Sequence, residues 1–587
     1  MYQSRSGLYK PLSVPEKEIR LIRLRPRSFY RPEQISDDVL ICTLEHASRS
    51  NAIQYTALSY AWGSGNETRP ILVDETRQSI GANLEAALRE LWDDNEEVLV
   101  WADQLCINQD DKVEKNRQVS QMKEIYEEAQ RVIAWLGPAA DGSDLVMFWI
   151  RKMSNAEGSR SVTIDILNHH EKPENLAAMT EAFDKFCQRD YWQRLWIIQE
   201  FTVAQQLFIA CGGALIAFDE LVGALDFLKL PKWVVEQPDM VNAYKSTSLT
   251  FVRGVVTRRM RYQLRSGHQL DSLFQVVVES LVMGIDYSHR ETSYPRDRIF
   301  SVLGLAGDAF SFGSFPDYAP STSCEDVYEE AARGFLRQGH VDIFCYCQFP
   351  RTERNRRMAT WAPDWQMPTR KPNVDDPWFS QFSAGTATNI APQSITFPDT
   401  KSVALQGIIV DEVKGFGSTW NPDWLSALDC QAALDYLTEI TAFCEDSPRV
   451  SVDDVQLVTA RVAINERVAY TSEDWRQFYV TGYNSAVDSL FDAFQLGMEV
   501  AETWFTTGMK LLHSRRPFIS KTGYIGLAPD HVAEGDIVCV FLGAKTPYVL
   551  RPTGQGTYTL VGEVYLHGAM HGEILEGSPD VQKLVLR

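Results

Sequence analysis

One of the most apolar stretches of the chain contains a single carboxylate. Residues 194–213 read RLWIIQEFTVAQQLFIACGG, and from Leu195 to Phe218 the only side chain with a formal charge is that of Glu200. Burying a lone carboxylate is expensive unless another group pairs with it or a reaction uses it. A carboxylate in such a place can stabilise positive charge that develops during a reaction. Glu200 is therefore the candidate catalytic residue.

Two tryptophans accompany this glutamate at helical spacing. Residues 183–205 predict one helix, and Trp192, Trp196 and Glu200 follow each other at intervals of four, so they are expected on one face of that helix. Indole rings beside a carboxylate could stack on a flat ligand. The alternative is that the tryptophans belong to a core and that Glu200 pairs with an arginine such as Arg117, Arg189 or Arg194.

Apolar strands alternate with helices around this segment. QYTALSYAWG, EVLVWADQLCIN, RVIAWLG and QLFIACGG read as strands separated by helical stretches, which is typical of an α/β fold with a parallel sheet flanked by helices. Ligands of such sheets bind at the carboxyl ends of the strands, near a switch in strand order. The first two strands bring Ser59, Tyr60 and Trp62, and then Asp103 and Asn108, to that edge. Together with Trp196, these residues form the predicted ligand-binding set.

The remaining pattern predicts four regions. Residues 1–50 contain short strands that are expected to pack on an α/β domain at 51–215. Residues 216–515 are expected to be mainly helical. Residues 516–587 have short β-type runs broken by Gly, Pro and Asp, which predict a small antiparallel β module.

Composition excludes several classes of partner. A net charge of −21 over 587 residues argues against nucleic acid or an anionic membrane as the main partner. The basic runs at 253–265 and 351–357 are interpreted as solvated faces or loops. The chain has no uninterrupted apolar run of about 18 residues, so no membrane span is expected. The ten cysteines lack CxxC or zinc-finger spacing, no residue cluster suggests a metal site, and we expect a disulfide-free cytoplasmic protein.

Three blocks of the sequence resemble a known family. The blocks YTALSYAWG, VWADQLCINQDDKVEKNRQVSQMKEIYEEAQRVIAWLG and RDYWQRLWIIQEFTVAQ are similar to the signatures of fungal heterokaryon incompatibility (HET) domain proteins. PRDRIFSVLGL, WAPDW and the C-terminal GDIVCVFLGAKTPYVLRP also resemble the flanks of such proteins. One departure is Gln104, where the family usually has alanine or another small apolar residue.

The resemblance implies a fold and a reaction. HET domains remotely resemble Toll/interleukin-1 receptor (TIR) domains, and in TIR domains that degrade NAD a glutamate at the place of Glu200 is catalytic. The implied reaction cleaves the nicotinamide–ribose bond, with NAD as substrate and no resident cofactor. Glu200 would stabilise an oxocarbenium-like ribosyl cation. Trp196 and Tyr60 would stack on the base, and Asp103 and Asn108 would bind the ribose or shape the loop.

The resemblance equally allows a signalling module without catalysis. TIR-like domains also assemble into arrays, and the loop at 104–116 occupies the place of the loop that makes such contacts. The partners would be further copies of the chain or an incompatibility partner protein. A buried Glu200 held by an arginine favours this alternative, whereas a Glu200 that lines a cleft between indoles favours the enzyme. At the biological level, the family implies a part in fungal self/non-self recognition and in the cell death that follows incompatible fusion.

Overall fold

The computed structural model divides the chain into two compact units, Met1–Thr322 and Ser323–Arg587. It describes every residue except 1–7, 15–16, 31–38, 52, 64–66, 155–172, 228–246, 266–269, 283–291, 293, 313–320, 348, 354, 368, 370–371, 373–381, 387–394, 427–428, 467–474, 555 and 578. Each unit contains one β-sheet with helices.

The first unit is built on a nine-stranded mixed sheet. Its strands are β1 (Glu18–Leu24), β2 (Leu40–Ser48), β3 (Thr56–Tyr60), β4 (Thr68–Val73), β5 (Thr76–Gly81), β6 (Val98–Trp101), β7 (Arg131–Trp135), β8 (Leu207–Cys211) and β9 (Ala214–Ala217), in the order β5-β4-β2-β1-β6-β3-β7-β8-β9. The central strands β6, β3, β7 and β8 run parallel to one another. All five residues of β3 are buried. The continuous apolar runs of these strands therefore fit a sheet that is covered on both faces.

The helices of this unit follow the strands along the chain. They are α1 (Ala82–Leu91), α2 (Asp103–Cys106), α3 (Lys112–Ser120), α4 (Met122–Glu128), α5 (Ser143–Ser154), α6 (Pro173–Cys187), α7 (Asp190–Gln193), α8 (Ile197–Val203), α9 (Phe218–Phe227), α10 (Thr247–Leu264), α11 (Leu273–Leu281) and α12 (Asp297–Leu303). The predicted alternation of strands and helices is confirmed for β3, α1, β6, α3–α4 and β7. The hairpin β4–β5, which stands between β3 and α1, was not predicted.

The first fifty residues belong to the same sheet as the predicted α/β domain. Strand β1 pairs antiparallel with β2 on one side and with β6 on the other. Arg20 of β1 is 1% exposed and its guanidinium lies 2.6 Å from the Glu114 carboxylate of α3. The same guanidinium donates to the carbonyl of Cys106 at 3.2 Å. This buried pair therefore fixes the segment 104–116 against the N-terminal strand, and that segment contains α2 and the start of α3 rather than a simple loop.

The second unit combines helices with an eight-stranded sheet. Its helices are α13 (Cys324–Arg337), α14 (Cys430–Asp446), α15 (Val455–Ala463), α16 (Trp475–Leu496) and α17 (Trp504–Lys510). Its strands are β10 (Val403–Phe416), β11 (Arg515–Ser520), β12 (Ile525–Pro529), β13 (Ile537–Phe541), β14 (Tyr548–Pro552), β15 (Tyr558–Glu563), β16 (Tyr565–Leu566) and β17 (Gln582–Leu586). The predicted C-terminal β module is thus present in β11 to β17, and it is antiparallel apart from one parallel pairing of β15 with β17.

Strand β10 lies inside the region that was expected to be mainly helical. It pairs with β17 and β13 along its length and with β11 at its end. Since β13, β14, β15 and β17 follow one another in the sheet, the pairing of β10 with β13 closes these five strands into a ring. Two register shifts, at Ile409/Asp411 and Val413/Gly415, let the strand bend as it passes from the ring to β11. The limits of the four predicted regions stay predictions.

Two general expectations can be compared with the structure. All ten cysteines lie among the described residues and each is a free thiol, seven of them buried. Among the helices that the structure describes, none has the length and apolar character needed to cross a membrane.

The buried ion pair of Arg20 with Glu114 should stabilise the fold more than the exposed ion pair on the same strand. Replacing Arg20 by Ala leaves the Glu114 carboxylate buried without its countercharge, and we expect a loss of about 3–5 kcal/mol in the free energy of unfolding. Arg23 of the same strand is the matched control, because its pair with Glu45 is 27% and 33% exposed. Arg23→Ala should cost less than about 1 kcal/mol. Urea unfolding of both variants checks this, and equal losses would contradict the assignment.

Candidate functional site

The Glu200 side chain lies in a buried polar cluster. Glu200 belongs to α8 and is 1% exposed. The hydroxyl of Ser59, near the end of β3, donates to the Glu200 carboxylate at 2.5 Å. The same serine oxygen lies 3.0 Å from the Tyr191 hydroxyl, and the Tyr126 hydroxyl of α4, which donates to the Leu58 carbonyl at 3.1 Å, also acts on the Glu200 carboxylate. The strand, α4, α7 and α8 therefore meet at one carboxylate.

Burial raises the pKa of Glu200 to about 7. The positive charge of Arg194, the hydrogen bond from Ser59 and the nearby Tyr126 hydroxyl lower this pKa, while the negative charge of Asp103 raises it further. Since these opposing effects do not cancel the burial, the carboxyl is partly protonated at neutral pH. Perturbed acids of this kind are typical of functional sites, although buried structural networks also contain them.

A second acid stands at the neighbouring strand end. Asp103 follows β6, and both of its carboxylate oxygens accept the Trp62 indole N–H, at 3.0 and 2.9 Å. The protein packed around this carboxylate raises its pKa, and Arg194 opposes the rise. The Tyr60 hydroxyl acts on the same carboxylate without being aligned for a full hydrogen bond. Trp62 and Asp103 keep part of their surface in contact with solvent, so the cluster is accessible from their side.

Arg194 connects the two acids. Burial lowers the pKa of its guanidinium, but the charges of Glu200 and Asp103 more than offset this and the pKa is raised. The guanidinium also donates to the backbone carbonyl of Tyr60 at the end of β3. The charge of one arginine thus acts on two carboxyl groups, and partial protonation of Glu200 reduces the negative charge that the cluster carries.

The expected continuous helix at 183–205 is wrong. The chain forms α6, α7 and α8, and the backbone is extended at Arg194, with φ −70° and ψ 140°. The break places the guanidinium of Arg194 on the Tyr60 carbonyl, which is a tertiary contact that helical periodicity does not register. Trp192, Trp196 and Glu200 consequently do not share one helical face. Trp192 is fully buried and packs against Phe201, as the core alternative expected.

Two predicted ligand residues make their contacts elsewhere. The Trp196 indole donates to Asp297 at 2.8 Å. The side-chain oxygen of Asn108 accepts the backbone N–H of Asp110 at 3.3 Å. The backbone N–H of Asn108 donates to the Glu114 carboxylate at 2.8 Å. Ser59, Tyr60, Trp62, Asp103 and Glu200 therefore form one cluster, and Trp196 and Asn108 hold adjacent segments. Gln104, the departure from the family pattern, accepts the Gly81 N–H at 2.9 Å.

Helix α8 is held by residues that sequence reasoning missed. Arg259 of α10 donates to the carbonyls of Phe201, Thr202 and Ala204 at 3.1, 3.2 and 2.6 Å. A cation at this end of a helix satisfies its free carbonyls and complements its dipole. Burial lowers the pKa of Arg259 to about 10.

The interpretation of the basic run 253–265 as a solvated face is wrong for its centre. Arg258 and Arg259 are both 5% exposed, and Arg258 lies 2.6 Å from the Asp271 carboxylate. In the second run, the Arg351 guanidinium donates to the carbonyls of Ala359, Thr360 and Ala362, while Arg356 is exposed. Carbonyl groups and acids distant in sequence bind these arginines, and the sequence pattern did not reveal those partners.

The segment PRDRIFSVLGL supports the other side of α8. Its Asp297 is 4% exposed and accepts the Trp196 indole at the start of α8. The Gln199 amide bridges the Lys123 backbone N–H at 3.0 Å and the Ser301 carbonyl at 3.3 Å. The resemblance of this segment to the flanks of HET proteins was the available signal that it bears on the site.

Comparison with known proteins finds two family models and one relative that match the chain. The family model "Heterokaryon incompatibility protein (HET)" matches residues 55–200, and the model "Het-6 beta-barrel domain" matches residues 440–580. Heterokaryon incompatibility protein 6, OR allele, of Neurospora crassa is 26% identical, over 96% of this chain and 95% of its own length. Residues 55–200 therefore match a HET domain, and the chain is similar to a heterokaryon incompatibility protein over nearly its whole length. No solved structure matches it.

The two ends of the HET match meet at the site. The match begins at Tyr55, just before Ser59, and ends at Glu200 itself. The hydrogen bond between Ser59 and Glu200 therefore joins the first and last signature blocks of the HET match. Chemically, Glu200 can take up or release a proton near neutral pH. Within the described residues, no three His, Cys, Asp or Glu side chains are grouped to hold a metal ion.

The raised pKa of Glu200 predicts a pH-dependent stability. Between about pH 4.5 and 7 the folded state binds the Glu200 proton and the unfolded state releases it, so this contribution is complete below that window and is lost as the pH rises through it. Relative to Glu200→Gln, the wild type should lose on the order of 3 kcal/mol of stability across the window.

Urea unfolding at a series of pH values tests this pH dependence. The exposed Glu67→Gln is the control and should follow the wild type at every pH. Parallel curves for the wild type and Glu200→Gln would contradict the raised pKa.

Arg259, which caps α8, should contribute more to the stability of the fold than its exposed neighbour Arg261. Arg259→Met removes three hydrogen bonds to buried carbonyls, although Gln263 still donates to those of Thr202 and Ala204 at 3.3 and 3.4 Å. We therefore expect a loss of about 2 kcal/mol in the free energy of unfolding. Arg261→Met is the matched control, because Arg261 is 44% exposed and pairs with Glu279. Its loss should stay below about 1 kcal/mol. Thermal unfolding of the two variants compares them, and the cap is refuted if Arg261→Met costs as much.

Proposed function

We propose that this HET protein takes part in fungal non-self recognition and in the cell death that follows incompatible fusion. The support comes from the relative, which is an incompatibility protein and matches the chain almost from end to end. Both the HET domain and the C-terminal β domain lie within that match. The chain therefore resembles a whole incompatibility protein rather than one shared module.

We infer that the HET domain acts as a signalling module whose conformation depends on Glu200. The observation that carries this is the burial of Glu200, which is 1% exposed with its carboxylate bound by Ser59 and balanced by Arg194. A catalytic carboxylate must approach the reacting atoms of its substrate to within about 3–3.5 Å. In this conformation protein groups occupy that position. The geometry thus favours a carboxylate that holds β3, α4 and α8 in register.

NAD cleavage is the second candidate, and the strand order supports it. In chain order the parallel strands β3, β6, β7 and β8 are arranged second-first-third-fourth, as in doubly wound folds that bind ligands at the switch between the first and third strands. Strand β3 is the first strand of that switch, and Ser59 lies near its carboxyl end. The order of elements also agrees with the comparison to TIR domains, except for the inserted hairpin β4–β5.

The enzyme would require the cluster to open. Movement of Trp62 and Asp103, its partly exposed members, would admit a ribose to Glu200. The bond from the ribose carbon to the nicotinamide nitrogen would break with both electrons leaving on the nitrogen, so nicotinamide departs neutral. Water would then add to the ribosyl cation and release a proton. The ionised form of Glu200 stabilises that cation, so activity would rise as the pH passes through about 7.

Parallel assays of cell death and of NAD separate the two candidates. The full chain, its Glu200→Gln variant and its Ser59→Ala variant are expressed in a filamentous fungus, and dying compartments are counted with a vital dye. For a signalling module we expect Glu200→Gln to retain killing, because glutamine still accepts the Ser59 hydrogen bond.

The purified proteins are then incubated with NAD over a range of protein concentrations. A signalling module should leave NAD intact at every concentration. NAD loss with the wild type, together with a folded Glu200→Gln variant that neither kills nor consumes NAD, would overturn the signalling assignment in favour of the enzyme.

A further inference from the structure

The last turns of helix α16 expose large apolar side chains. Phe491 is 49% exposed and Phe494 is 55% exposed, and the adjoining Leu496 and Met498 are 67% and 54% exposed. Single exposed apolar residues are normal on protein surfaces. Here four lie within eight residues at the end of one helix, and we call these four residues the α16 patch.

The core of this unit does not account for the patch. The face of α16 that packs inward carries Tyr479, Gly482, Ala486, Leu490 and Ala493, all of them buried. These positions recur at three- and four-residue intervals, so the helix already has a complete apolar stripe. Phe491 lies on the opposite side, and Phe494 is its neighbour three residues on.

Two unpaired acids flank the phenylalanines. Asp488 and Asp492 are exposed, and neither forms an ion pair with any residue that the structure describes. They stand four residues apart on the helix, where like charges repel by a few tenths of a kcal/mol. The helix therefore carries exposed aromatic surface and uncompensated negative charge at the same place.

Hydrogen bonds tie the chain beyond the helix to the last turns of α16. Gly497 ends the helix with φ +65°, and its N–H donates to the Ala493 carbonyl at 3.0 Å. The chain then folds back, because the Ala501 N–H donates to the Ser489 hydroxyl at 2.7 Å. These two hydrogen bonds tie the segment that contains Met498 to the end of the helix.

We propose that the α16 patch is the docking site for an amphipathic helix of a partner protein, with an apolar stripe flanked by Lys and Arg. The apolar stripe would cover Phe491 and Phe494, and the basic side chains would neutralise Asp488 and Asp492. Complementary charge of this kind speeds encounter and excludes wrong partners. A second copy of the chain fits less well, because it would bring equal acids together between molecules that each carry a net charge of −21. This site goes beyond the proposed function and does not depend on the chemistry at Glu200.

A designed peptide tests the docking site on the full chain. The probe is a labelled 18-residue helix with leucines at three- and four-residue intervals and lysines on both flanks, a length of about 27 Å. Its affinity is measured by fluorescence anisotropy at two salt concentrations. A peptide with glutamates in place of the lysines is the charge control. Phe310→Ser is the matched protein control, because Phe310 is 86% exposed in the other unit.

The docking site predicts a different binding result for each variant. Phe491→Ser/Phe494→Ser should weaken binding of the lysine peptide at least tenfold, and Asp488→Asn/Asp492→Asn should weaken it at low salt and flatten its salt dependence. Both should keep the melting temperature of the wild type, and Phe310→Ser should bind as the wild type does. Equal binding of the glutamate peptide, or unchanged binding by both double variants, would refute the site. Self-association of the wild type in sedimentation, lost in Phe491→Ser/Phe494→Ser, would assign the patch to a second copy instead.

Discussion

The hydrogen bond from Ser59 to Glu200 is the contact on which the first unit depends. It joins the first parallel strand to α8, and those two elements carry the beginning and the end of the HET match. A carboxylate buried to this degree is tolerated only while every group around it keeps its place. The position of Glu200 therefore depends on the surrounding tyrosines, on the arginine and on the second acid together.

The buried cluster contains more acidic than basic groups. Asp103 and Glu200 face a single arginine, and burial raises the pKa of both acids. With one cation for two carboxyl groups, the low-energy state keeps a proton on the cluster. Loss of that proton, or arrival of a second cation, would change the balance that positions α8. Since the pKa of Glu200 is raised to about 7, both its protonated and its ionised forms are accessible near neutral pH.

The sequence allowed the elements to be predicted better than their junctions. Continuous apolar runs identified β3, β6, β7 and β8, because buried parallel strands leave that local signal. The helix break at Arg194 left none, since its cause is the Tyr60 carbonyl more than 130 residues away. Strand β10 was missed because its neighbours in the sheet come about 100 or more residues later in the chain. Ser59 and Asp103 could be predicted from strand ends and Glu200 from its isolation in an apolar stretch, whereas Tyr126 and Tyr191 became part of the site only through packing.

Residues outside the HET match hold its last residue, Glu200, in place. Glu200 closes the match, yet Arg259 caps the carboxyl end of its helix and Asp297 binds the indole at the amino end. Both lie outside residues 55–200 and both are buried. A helix of seven residues is too short to be stable alone, so its position depends on these tertiary contacts. Any movement of α10 or α12 must therefore be transmitted to Glu200, and any change of charge at Glu200 must act back on them.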